Sequence, residues 1–388
     1  MSQAHLPHDD PAPVPAYGRA SLADLLPSLL VRLGVQEGLA ALALPSARRY
    51  VLLLVDGLGA NLLMRHASRA PYLSSLPDAR GPGAEPFTTV FPATTPVALT
   101  SLGTGLGPGE HGLTGLYLRR EDGSLLNTLY PGDVDLAAFQ PRPTAFEIAA
   151  RAGVAVSRVG PRSFDGDGLT QAGLRGGAYL AGESMGERVA AVAEGVRRGR
   201  RSLVYAYVGD LDATGHRRGL DTEAWRQELT HVDRLVEQLS AALPADAVLL
   251  VTADHGMVDV PIDDRTDLAS SPTLDDGVEV LAGDPRALHV HTRAGASEDV
   301  LATWRAVLGE RCWLLGRDEA ISAGWFGPTV AAHVRPRIGD VVGAARAGLA
   351  VVDSRVAHPQ ILALRGLHGS LTDDELLVPL LVARRSTS

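Results

Sequence analysis

The chain has 388 residues, 45% of them hydrophobic and 21% charged, enough apolar material for a large globular core. Its formal net charge is −9 and every one of its 36 basic residues is Arg; no basic stripe interleaved with aromatics occurs, so a nucleic-acid polymer is not the expected partner. The lone Cys312 excludes an intrachain disulfide, and no apolar run approaches the ~20 residues of a membrane-spanning helix.

In chain order, the Pro-rich segment to about Ala16 reads as extended or flexible. It lacks the pattern of a signal peptide, so a cytoplasmic location is expected. LADLLPSLLVRLGV reads as a helix started or broken at Pro27. YVLLLVDG is a continuous apolar run ending at Asp56-Gly57, the pattern of a strand buried on both faces. In FPATTPVALTSLGTG a helix is expected, with Pro96 at its first position and the preceding Thr as N-cap. LVYAYVGD and AVLLVTADHG repeat the strand-then-Asp pattern. Between them, Trp225, Leu229, Val232, Leu235, Val236 and Leu239 recur at helical spacing. Alternating strands and helices predict an α/β fold, a three-layer α/β/α sandwich around a mainly parallel sheet. Ligands of such sheets bind beyond the carboxyl ends of the strands.

From about Pro261 the long apolar strands disappear. SSPTLDDGVEVLAGDPRALHVHTR reads as a pair of short strands and SEDVLATWRAVLG as a helix. The expected organisation is an N-terminal extension and helix (1–45), a catalytic core (46–260 and 359–388) and an inserted α+β cap (261–358). Cys312, in RCWLL, reads as a buried thiol.

The chemistry-bearing residues stand at the strand ends. Asp56, Asp212, His216, Asp254, His255 and, near the C-terminus, His368 make three acids and three histidines. That number serves two divalent ions with three protein ligands each. Carboxylate with imidazole suits zinc, and also manganese or iron. Asp212 and His216 are four apart, so on a helical turn they share a face, with Gly215 allowing a bend. Asp254 and His255 are adjacent and need the turn at Gly256 to reach one ion. Thr94 or Thr95 would sit at a helix N-terminus, beside free N–H groups and a positive dipole end. A metal beside that hydroxyl would make it a nucleophile.

Taken in order, VDG, TTPVALTSLGTGLGPGEHG, DLDATGH, TADHG and LHGS resemble the alkaline phosphatase superfamily and, within it, the type I phosphodiesterase/nucleotide pyrophosphatase family. The resemblance implies that Asp212, His216 and His368 hold one metal and Asp56, Asp254 and His255 the other, with zinc the usual ion. It selects Thr95, nine residues before Thr104, as nucleophile and metal ligand, and implies a phospho-threonine intermediate. The substrate expected is a small phosphorylated molecule, with a nucleotide as one candidate. Two departures bear on specificity. Leu116 stands where nucleotide pyrophosphatases carry Asn, and Pro96-Val97-Ala98 replaces aromatic-Pro-Asn. They keep a phosphomonoesterase or phosphonate hydrolase in view; a silent binding protein is the reading from another class.

Other residues are assigned more plainly. His111 is expected to be structural. His289 and His291 are expected on a solvated strand face, and Asp210 in support of the metal ligands. Arg286 reads as a surface residue or a contact for substrate phosphate. Trp304, Trp313 and Trp325 are expected in the core of the cap.

Overall fold

A computed structural model describes residues 11–346 and 348–384 of the chain. The extended N-terminal stretch therefore lies outside the described residues as far as position 10. From there Ala12 packs against a core cluster and Ala16 is buried. A 3-10 turn, Leu22–Asp24, runs into the helix Leu25–Arg32, which places Pro27 in the first turn, where its missing N–H costs nothing.

A six-stranded sheet forms the centre. Its order across the sheet is Leu380–Ala383, Ala247–Thr252, Arg49–Val55, Ser202–Val208, Ala155–Gly160 and Ala178–Ala181. All neighbours are parallel except Leu380–Ala383, which runs against Ala247–Thr252. Val51 to Val55 and Val248 to Thr252 are buried throughout, as in a sheet covered on both faces. One layer of helices contains Met185–Val196 and the 20-residue Glu223–Ala242. The other contains Leu25–Arg32, Thr95–Thr104 and Ala145–Arg151. Tight backbone packing joins this second layer to the helix Gly168–Gly173, because a Cβ on Gly103 would lie 1.7 Å from the Gly173 carbonyl oxygen.

A second six-stranded sheet is antiparallel, in the order Cys312–Gly316, Val341–Ala345, Ala287–Thr292, Val278–Asp284, Tyr117–Arg119, Leu125–Asn127. Two of its strands thus come from residues 117–127, before the 261–358 segment. The helix Ser297–Leu308 and the strand Cys312–Gly316 build its apolar core with Trp304, fully buried. Trp325 is buried in the adjoining cluster, where Trp313 is half-buried. His289 and His291 are 1% and 2% exposed, so the solvated strand face expected for them is corrected. The alternation places them on one face, as read, but neighbouring elements cover that face. Burial pushes His289 down to about 3 and His291 to about 4.

Arg286 is neither a surface residue nor a cavity-lining group. It lies in the tight turn between Val278–Asp284 and Ala287–Thr292 and is fully buried. Its Nε and Nη2 donate to the two carboxylate oxygens of buried Glu375 at 2.8 and 2.7 Å. The pair fastens the second sheet to the segment just after His368. Among the described residues no helix is long and apolar enough to cross a membrane.

Candidate active site

Three strands of the central sheet, Arg49–Val55, Ser202–Val208 and Ala247–Thr252, lead into the polar residues at their carboxyl ends. Asp56 follows Arg49–Val55 directly, and its N–H donates to Val208 O at 2.9 Å. Gly57 then adopts φ +73°, and a Cβ there would lie 3.1 Å from Asp212 Cβ. Only glycine fits both the turn and the approach. After Ser202–Val208 the chain enters the helix Asp210–Arg218, which carries Asp212 and His216 on one face, His216 Nε2 being 3.4 Å from Asp212 Oδ2. This helix is regular, and Gly215 serves packing rather than bending: a Cβ there would meet Met257 Sδ at 2.5 Å. Gly256 is likewise required by the Asp374 carbonyl oxygen, 1.9 Å from where its Cβ would stand. The short pairing of Val258–Asp259 with Gly366–Leu367 returns the chain so that His368 joins the group.

The three imidazoles share one hydrogen-bond logic. Nδ1 of His216 faces Gly366 O at 2.7 Å, that of His255 faces Gly256 O at 2.9 Å, and that of His368 faces Ala93 O at 2.9 Å. A carbonyl only accepts, so each Nδ1 carries a proton, and in the neutral imidazole each Nε2 presents a lone pair. Those lone pairs converge. His368 Nε2 lies 3.3 Å from His216 Nε2 and 4.0 Å from Asp212 Oδ1. His255 Nε2 lies 3.5 Å from both Asp56 Oδ1 and Asp254 Oδ2, and the His255 and His368 rings stack at 3.5 Å. Asp56 Oδ1, Asp212 Oδ1 and Asp254 Oδ2 are buried without a hydrogen-bond partner.

Lone pairs and carboxylate oxygens this close repel unless cations lie between them. Ligating atoms of Asp56, Asp254 and His255 lie within 4.8 Å of one another, as do those of Asp212, His255 and His368. His255 thus bridges the two groupings, with His216 beside the second. The donor set fits divalent ions bound by nitrogen and oxygen. Burial, then the charges of Asp254 and Asp212, hold the Asp56 carboxyl well above the ordinary carboxylate range. Burial also raises Asp254. It pushes His368 well below the ordinary imidazole value, reinforced by His255 and His216.

The hydroxyl of Thr95 lies 3.2 Å from His255 Nε2. Thr95 is the first residue of the helix Thr95–Thr104 and Thr94 is its N-cap residue, one position earlier than the sequence suggested. Thr94 does not cap through its side chain. Its hydroxyl donates instead to Asp284 Oδ1 at 3.0 Å, so of the two threonines only Thr95 offers its hydroxyl to the histidines.

Asp284 was not anticipated. It ends a strand of the second sheet and reads in sequence as part of the Gly-Asp-Pro-Arg turn. Its Oδ2 accepts the Leu116 N–H at 3.1 Å, and burial raises its carboxyl to about 6. Tyr207 was also missed; its hydroxyl donates to Asp56 Oδ2 at 2.5 Å. The alternation in LVYAYVGD carried a signal for it, since Tyr207 and Asp56 stand at neighbouring strand ends. Asp210 turns away and pairs with Arg188 at 3.1 Å. His111 is buried and bonded through both ring nitrogens, to Ser101 and the Leu113 N–H.

The site opens on a cavity of about 390 Å³, lined by Thr95, Asp56, Asp212, His216 and His368 at one side. The remaining wall includes Leu99, Leu116, Leu169, Leu174, Phe164, Tyr179 and Tyr205.

The profile of the type I phosphodiesterase / nucleotide pyrophosphatase family matches residues 50–371. The chain belongs to this family. It is therefore a metal-dependent phosphoryl-transfer hydrolase. Among solved structures it is similar to murine ectonucleotide pyrophosphatase/phosphodiesterase 5, with TM-score 0.68 and 19% identity over 87% of this chain and 89% of that one. It is also similar to phosphonoacetate hydrolase from Sinorhizobium meliloti 1021, with TM-score 0.64 and 19% identity over 89% and 92%. Both likenesses concern the fold. A curated relative, phosphopentomutase of Clostridioides difficile (strain 630), is 26% identical over 143 residues; the match spans 36% of this chain and 34% of the relative. The family member described here keeps the parallel sheet and the strand-end acids together, so fold and site position agree.

Proposed function

We propose that this chain hydrolyses a small phosphoric diester, a nucleotide being one candidate, through a phospho-threonine intermediate on Thr95. The observation that carries the reading is the Thr95 hydroxyl, 3.2 Å from His255 Nε2 within the convergent Asp/His cluster. Asp212, His216 and His368 would hold one ion and Asp56, Asp254 and His255 the other, with Thr95 a ligand as well. Two divalent ions, zinc first and manganese second, would supply Lewis-acid charge for the nucleophile, the phosphoryl oxygens and the leaving group. Thr95 Oγ forms the bond to phosphorus as the ester oxygen leaves; water then cleaves the Thr95–phosphorus linkage. Carbonyl partners on Nδ1 orient all three histidines with Nε2 toward the ions, and Tyr207 holds Asp56 in place. Thr94, tied to Asp284, fixes the loop before the helix. An inactive variant of the murine neighbour, with threonine replaced by alanine, was solved with AMP; it supports both the nucleophile and the substrate class.

A specific observation favours a second reading. Leu116 lines the cavity, and only its main-chain N–H is polar there, already bonded to Asp284. A monoester or phosphonate would suit a pocket lacking the pyrophosphatase amide, and a phosphonate hydrolase is among the neighbours. In either reading the 261–358 insert supplies Asp284. A cytoplasmic location belongs to the same proposal and is checked by cell fractionation.

The deciding experiment compares bis-p-nitrophenyl phosphate with p-nitrophenyl phosphate on metal-analysed wild type and Thr95→Ala. Diester preference, lost at least roughly 10³-fold in the variant with metal retained, is the expected result. Monoester preference would favour the second reading. Undiminished activity in Thr95→Ala would remove Thr95 from the mechanism.

A further inference from the structure

A second group of unsatisfied polar atoms lies elsewhere in the same cavity. Nε and Nη1 of Arg158 and the hydroxyl of Tyr205 are buried with no hydrogen-bond partner. Tyr205 is only 3% exposed. The two residues are neighbours by register: Arg158 is paired with Tyr205 on one side and with Tyr179 on the other. Paired positions on adjacent strands project to the same face, and all three side chains line the cavity.

Tyr179 is a wall of this corner rather than a donor. Its hydroxyl is bonded to Pro161 O at 2.7 Å, and the Arg158 guanidinium lies 5.4 Å from its ring centroid. Asp165 and Asp167 are close enough to act on the Arg158 charge. Among the described residues, however, Arg158 forms no ion pair, and Asp167 Oδ1 is engaged by the Thr170 N–H at 2.6 Å. Two guanidinium nitrogens and a phenol hydroxyl buried without hydrogen bonds are costly to the fold. Their common orientation into a cavity gives that cost a purpose, because each is a donor and neither has a protein acceptor.

The corner is offset from the Asp/His cluster toward the strand interior: Tyr205 is in register with Leu52, four positions before Asp56, although its hydroxyl is still near enough to feel the charges of Asp254 and Asp56. Leu99, Val159, Leu169 and Leu174 contribute apolar wall to the cavity.

We propose that Arg158 and Tyr205 bind a second anionic group of the substrate, a carboxylate or a phosphate, joined to the reacting phosphoryl group by an apolar segment. The assignment of the reacting end rests on the function proposed above; the anion corner rests on its own unpartnered donors.

The test uses p-nitrophenyl phosphodiesters whose other arm is a six-carbon chain ending in a carboxylate, in its methyl ester, or in a phosphate. The readout is the ratio of kcat/KM for the charged arm to that for the ester. For the metal-loaded wild type a ratio of at least about tenfold is expected, from charge-assisted hydrogen bonds. It should collapse toward unity in Arg158→Gln and fall by a smaller factor in Tyr205→Phe. The carboxylate and phosphate arms show which anion fits. A ratio near unity in the wild type, or one that survives Arg158→Gln, overturns the proposal.

If no diester is turned over, that failure belongs to the phosphodiesterase reading. Calorimetric binding of 4-phenylbutyrate against 4-phenylbutanol then decides the corner by the same ratio and the same variant. Unliganded Arg158→Gln should melt within a few degrees of wild type, because it loses no hydrogen-bonded or ion-paired partner, only the contact with the Tyr179 ring and the more distant charges of Asp165 and Asp167. A marked fall in its Tm would mean that Arg158 is a structural residue, and would count against the site.

Discussion

Two buried ionic clusters lie a few residues apart near the C-terminus, and they are built on opposite principles. Around Arg286 and Glu375 every charge is answered. Besides their paired bonds, Arg286 donates to the carbonyls of Leu349 and Ala345, and Glu375 accepts from the Ser370 N–H and the Thr372 hydroxyl. Around His368 the reverse holds: three carboxylate oxygens have no partner and imidazole lone pairs face one another. Burial is equal, since Arg286, Glu375, Asp254 and His255 are all 0% exposed. Satisfaction of hydrogen bonds, rather than burial, separates a structural charge cluster from one prepared for ligands.

The comparison can be broken by exchanging one charge in each cluster. The largest effect is expected from Asp254→Asn. Activity should fall at least roughly 10³-fold if Asp254 is the charged metal ligand proposed above. The metal-free variant should unfold at no lower urea concentration than metal-free wild type, since removing one of several crowded charges relieves repulsion while the amide oxygen still accepts the Gly57 N–H. A clear loss of stability would place Asp254 with the satisfied cluster instead.

Glu375→Ala should do the opposite. It leaves Arg286 buried and unpaired, a loss of about 3–5 kcal/mol in urea unfolding. Stability unchanged within roughly 0.5 kcal/mol would show that the pair does not hold the second sheet to the core.

The smallest effect sharpens the contrast with a third kind of buried group, neutral and partly unbonded. His289 and His291 have folded values of about 3 and about 4, against an ordinary value of about 6.5. The unfolded chain binds more protons between these limits. Their contribution is therefore complete above about pH 6.5 and is lost as pH falls toward 4, at about 1.4 kcal/mol per pH unit for each residue. His291→Leu should flatten the pH dependence of unfolding by about that slope in this window. Parallel wild-type and variant profiles would mean that His291 stays neutral in both states or charges in the fold.

Much of the site was legible from local pattern. Continuous apolar runs ending in Asp specify parallel strands buried on both faces, and the strand ends must then share one edge. That rule assembles Asp56 and Asp254; after LVYAYVGD it points to Asp210, which pairs with Arg188 instead, and Asp212 comes from the first turn of the helix that follows. The four-residue spacing of Asp212 and His216 places them on one helical face without tertiary information. Choosing between Thr94 and Thr95 needed more, because either can sit at a helix start; the acceptor on Asp284 that occupies Thr94 comes from 190 residues away. The same limit explains the misreading of Arg286, whose partner lies 89 residues on. It also explains His289 and His291, whose alternation is equally compatible with a wet face and a covered one.

The sequence by itself determined the fold class, the side of the sheet where chemistry belongs and the residue types gathered there, because period, strand ends and short spacings are local properties of a chain. Only the tertiary structure decided which donors and acceptors are left over. Arg158 and Tyr205 stand in different strands with nothing in their neighbourhoods to mark them. Their vacant hydrogen bonds exist only once the parallel sheet has set them side by side and other elements have closed over them.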